Sequence, residues 1–68
     1  NMAKVGDKIV TAGDCAHYFK DGEKAVLHEL DSNGYWWADF SCNKEYYLDG
    51  VWCVGTIGDG FELDTTGE

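Results

Sequence analysis

The chain's capacity for metal or nucleophilic chemistry lies mainly in two histidines and three cysteines. Cys15-x-His17, His28, Cys42 and Cys53 supply enough thiolate and imidazole donors for a tetrahedral zinc site. Their spacing argues against one, because there is no Cys-x-x-Cys pair and a Cys-x-His step is not a common zinc knuckle. Cys42 falls on the apolar side of its segment, where a reduced thiol acts as a small hydrophobe. No metal and no cofactor are expected. A Cys15/His17 nucleophile would need positive charge or a helix N-terminus to lower its thiol pKa. The chain has no arginine and a net charge of −8, a field that raises it instead. Three cysteines and no export signal also argue against a disulfide framework; buried, reduced thiols are expected.

The carboxylates read differently. "DSNG" and "IGDGFELD" are turn sequences, in which Asp and Asn bond their own backbone. "DSNGYWWADFSC" fails as a calcium loop, since Tyr35 takes the fifth position and Cys42 the twelfth. No glycine-rich loop runs into Lys-Ser or Lys-Thr as a phosphate-binding loop would. His28, taken to share a strand face with Val26 and Leu30, reads as a core or edge histidine. No catalytic residue emerges, and the chain is not expected to be an enzyme.

Charge and aromatics point toward binding. Thirteen acids stand against five lysines. The imbalance is concentrated after residue 44, where Glu45, Asp49, Asp59, Glu62, Asp64 and Glu68 face no base at all. Such a field disfavours direct contact with nucleic acid or anionic membrane and steers toward basic protein surfaces. Aromatic residues make up 15% of the chain, more than a small core needs to place inside. Tyr35, Trp37, Tyr46 and Tyr47, interleaved with Asp39 and Asp49, form the expected partner-binding set. Trp and Tyr beside carboxylates suit a contact with Lys or Arg.

The elements that must position these residues are strands. There is no proline, and nine glycines punctuate β-branched and aromatic runs at intervals of about ten residues, the mark of a β meander. Strands are expected at 7–12, 24–30, 35–42, 51–55 and 61–64, with a long loop at 13–23 and a connection at 43–50. Asn33-Gly34 suits a type I′ hairpin turn. Side chains on a strand alternate between faces. Trp36, Ala38, Phe40 and Cys42 therefore share an apolar core side, while Tyr35, Trp37, Asp39 and Ser41 face outward. Trp52 and Val54 supply a second inward pair. Five short strands around a few aromatics predict an all-β, five-stranded SH3-like barrel, the economical closed solution at this length. One domain is expected over 2–64, with a frayed tail at 65–68. Met2 is expected to be the natural start.

"VGDKIV", "YFKDGEKAVLHEL", "NGYWWADF" and "GVWCVG…FEL" together resemble small SH3-like domains of the KOW and MIB/HERC2 kind. They look closer still to short uncharacterised proteins of tailed phages. The resemblance covers most of residues 5–64 and rests on structural motifs, so it implies a fold and an origin more than an activity. KOW-type domains that touch nucleic acid are basic, and this chain departs from them there. A monomeric module in the host cytoplasm follows, docking an acidic aromatic face on a basic host or phage protein to modulate or inhibit it. The alternatives are a nucleic-acid mimic blocking a DNA- or RNA-binding enzyme, and a small structural subunit.

Overall fold

The computed structural model describes residues 2–12, 21–42 and 50–65. Five strands emerge in chain order: β1 (Lys8–Thr11), β2 (Lys24–Leu30), β3 (Trp36–Asp39), β4 (Val51–Gly55) and β5 (Phe61–Leu63). They pair antiparallel in one sheet, in the order β4-β3-β2-β1-β5. Thus β1 lies between β2 and the last strand, while β2, β3 and β4 form a meander. Among the described residues β4 and β5 remain the sheet's edges and no ladder joins them, so the expected closure into a barrel is not seen.

The alternation in β3 is as the sequence predicts. Trp36, Ala38 and Phe40 are buried, while Trp37 and Asp39 are half-buried on the opposite face. Ala38 stands across from Leu27 on one side and Trp52 on the other. Its small side chain leaves room for both large neighbours. Ile9 is likewise set between Ala25 and Leu63. Phe40, Phe61, Ile9, Leu27 and Val54 are the largest fully buried side chains, each contributing roughly 1.5–3 kcal/mol by leaving water. Trp52, Ile57, Leu63 and Ala3 pack around this cluster.

Four local expectations are corrected. First, β3 ends at Asp39 and Cys42 is exposed in the following turn, because Asp39 bonds forward to Ser41 and turns the chain out of the ladder. The thiols are consequently not mostly buried, since Cys53 is also only partly covered. Both described cysteines are free; Cys15 lies outside the described residues.

Second, the hairpin is not type I′, which needs positive φ at both central residues. Gly34 has φ +87°, but among the described residues no non-glycine residue has positive φ. Gly34 N–H donates to the Asp31 carbonyl at 3.1 Å, and Asp31 N–H to the Tyr35 carbonyl at 2.9 Å. This is a type I turn followed by a left-handed glycine, the usual three-residue hairpin.

Third, His28 does not share a face with both Val26 and Leu30. A bulge between Leu27 and Glu29 breaks the alternation, and His28, Glu29 and Leu30 are all exposed. A second irregularity in β3–β4 pairing falls between Trp36 and Trp37. Bulges bend and twist a strand, so the sheet is bent on both sides of the tryptophan pair. Fourth, the strand proposed at 35–42 is shorter at its start as well, because Tyr35 belongs to the hairpin closure.

Candidate functional site

The outward face of β3 is the part of the predicted partner-binding set that can be placed. The register puts Asp39 between Val26 and Val51, and Trp37 between Glu29 and Cys53. Carboxylates and apolar groups therefore interleave across three strands. Tyr35, at the hairpin end of this face, is 49% exposed. Val51, across from Asp39, is 39% exposed and adds aliphatic surface at one margin. Tyr46, Tyr47 and Asp49 lie outside the described residues, as do Cys15 and His17.

Trp37 is tied in place. Its indole Nε1–H donates to Asp31 Oδ2 at 2.8 Å. The other carboxylate oxygen, Oδ1, accepts from the backbone N–H groups of Asn33 at 2.9 Å and Tyr35 at 3.0 Å. One aspartate thus closes the turn and orients the aromatic. The indole bond, followed by the backbone bond from Tyr35, holds the Asp31 carboxyl below its ordinary value. Charge-assisted bonds of this kind favour the ionised form.

Asp39 is set up the same way on a smaller scale. Its Oδ1 accepts the Ser41 N–H at 2.9 Å and the Ser41 hydroxyl at 2.7 Å. These bonds, backbone first, lower its pKa, with a smaller contribution from His28 nearby. Both carboxylates are accordingly charged throughout the neutral range, beside an indole and a phenol ring. Such a face can take an ammonium or guanidinium group between ring and carboxylate. Among the described residues there is no group of three or more His, Cys, Asp or Glu side chains placed to hold a metal ion.

Sequence reasoning saw Asp31 only as a turn residue, although it organises the site. The available signal was its position, six residues before Trp37 across a short hairpin. His28, expected as a core or edge histidine, is exposed, and its charge reaches Asp39. No helix among the described residues is long and apolar enough to cross a membrane. No protein-family model, curated protein or solved structure matches the chain.

Proposed function

We propose that the protein is a non-enzymatic binding module, an SH3-like domain that presents the Tyr35–Trp37–Asp39 face to a basic surface of another protein. The observation carrying this reading is the outward aromatic pair flanked by two carboxylates held in their charged form. A net charge of −8 steers a basic partner toward the chain, and exposed Tyr35 with the rim of Trp37 supplies the contact area. Tyr46, Tyr47 and Asp49 belong to the same proposed set on sequence grounds. The SH3-like assignment is supported by the order in which β1 bridges the meander and the last strand. The sequence resemblance to tailed-phage proteins makes the partner a host or phage protein in the bacterial cytoplasm, whose activity the module modulates or inhibits.

The test is affinity capture from a bacterial lysate, with the wild-type chain and a Tyr35→Ala/Asp39→Asn double variant as baits. The expected result is a basic protein retained by the wild type, lost from the folded variant, and released by raised salt. Retention of the same proteins by both baits would rule out this face as the contact.

A further inference from the structure

A second feature lies on the sheet, around the β1–β2 ladder, and adjoins the aromatic face at Val26, the residue across from Asp39. A cleft of about 300 Å³ opens there, lined by Lys8, Lys24, Val26, Cys42 and Asp64 among others. That volume is at the small end of the range for ligand sites. Val26 and the neighbouring β1–β2 residues Ile9 and Ala25 make part of its lining apolar. Lys24 Nζ meets Asp64 Oδ2 at 3.1 Å. Lys8 has no ion pair among the described residues. The charged groups in the lining therefore sum to a net positive charge, inside a chain whose total is −8. At the same cleft, the turn after β3 brings an exposed free thiol, Cys42, whose Sγ lies 4.0 Å from the Lys24 carbonyl oxygen.

We propose that this cleft binds small carboxylate-bearing molecules with an apolar portion, and that Cys42 exchanges there with anionic low-molecular-weight disulfides. The Cys42 sulfur, as thiolate, attacks one sulfur of the disulfide. The old S–S bond breaks, a Cys42 mixed disulfide forms, and the released thiolate takes up the proton that Cys42 gave to solvent. The added molecule is the oxidant and no other electron acceptor is required. The cleft's contribution is local: the protein as a whole attracts cations, whereas Lys8 and Lys24, lining the cleft with Cys42 against the single carboxylate of Asp64, favour an anion.

The charge selectivity supplies the test. The folded chain is treated separately with dianionic glutathione disulfide and dicationic cystamine, and modification at Cys42 and Cys53 is followed by peptide mass mapping. The Cys42-to-Cys53 rate ratio is expected to be several-fold higher with the glutathione reagent. Lys8→Gln and Lys24→Gln should each reduce that preference by about two- to fourfold, the scale of one ammonium charge acting across a small cleft in water. Lys4→Gln, which makes the same change in net charge at the Lys4–Asp7 pair, should leave it unchanged. In urea the preference should vanish. An equal or inverted ratio with the two reagents, an equal effect of Lys4→Gln, or a preference that survives unfolding would each overturn the proposal.

Discussion

The indole nitrogen of Trp37 and the Oδ2 oxygen of Asp31 are 2.8 Å apart, and this bond couples the hairpin turn to the outward face of the sheet. The same carboxylate receives the backbone N–H groups of Asn33 and Tyr35. Turn geometry and aromatic orientation are therefore a single local unit. Trp37→Phe keeps an aromatic ring but removes the donor together with the five-membered part of the indole. It should lower Tm by a few degrees and leave Asp31 with its two backbone partners. A melting curve followed by circular dichroism checks this; an unchanged Tm would mean the bond adds nothing beyond solvent contacts.

Acid should weaken the fold in a defined direction. Asp7, Asp31 and Asp39 all have carboxyl pKa values below normal, Asp7 chiefly through the Lys4 side-chain bond. A carboxyl with a lower pKa folded than unfolded adds stability that is present above its unfolded value of roughly 4 and is lost as pH falls through the folded one. Urea midpoints should thus be flat from neutrality to about pH 5 and decline below about pH 4. Asp31→Asn should flatten part of that decline, and a variant curve parallel to wild type would remove Asp31 from the account.

The two neighbouring tryptophans should respond very differently to truncation. Trp36 is only 9% exposed within the core cluster, whereas Trp37 is half-buried on the other face. Trp36→Ala should cost about 3–5 kcal/mol, the usual range for emptying an aromatic core site. A domain of this size commands only about 3–10 kcal/mol in total, so that variant should be largely unfolded at room temperature. Trp37→Ala should remain folded with a lower Tm. Similar losses from both, measured by urea titration, would contradict the assignment of faces.

Gly34 should be sensitive for a backbone reason alone. Its φ of +87° lies where L side chains are strained, although a Cβ there would meet nothing within 4 Å. Gly34→Ala should therefore destabilise by about 1 kcal/mol, and Gly34→Asn by less, because Asn tolerates the left-handed region better. Equal stability of all three would show that the hairpin relaxes to another turn.

Tyr35 is the cleanest probe of the proposed contact. It is 49% exposed, and its backbone, not its ring, makes the bonds to Asp31. Tyr35→Ala should change stability by no more than about 0.5 kcal/mol. Affinity for a captured basic partner should fall at least tenfold if the ring is a central anchor. Undiminished affinity, read by calorimetry, would move the contact elsewhere.

Strand positions were legible because they depend on short-range pattern. "KAVLHEL" and "VWCVG" coincide with β2 and β4, and glycines mark the intervening turns. The inward and outward assignment of Trp36 and Trp37 follows from period-two alternation along one segment. Alternation holds as far as His28 and fails at Glu29 and Leu30, because a bulge is a mismatch between two paired strands and leaves no trace in either alone. Cys42 was misplaced for a related reason: Asp39 ends the strand by bonding Ser41, and a run of apolar residues does not reveal that competition.

The amino-acid order by itself thus determined the all-β class, the strand ranges to within a few residues, the acidic field and which of two adjacent indoles enters the core. These are consequences of backbone sterics, side-chain period and summed charge, all local or additive. Tertiary structure alone decided that Asp31 holds Trp37, that His28 turns toward Asp39, and that Lys8 and Lys24 meet Cys42 around one cleft. Each of those juxtapositions depends on strand register or on where a strand stops. Register is set jointly by every pair in the sheet, so it cannot be read from one stretch of chain.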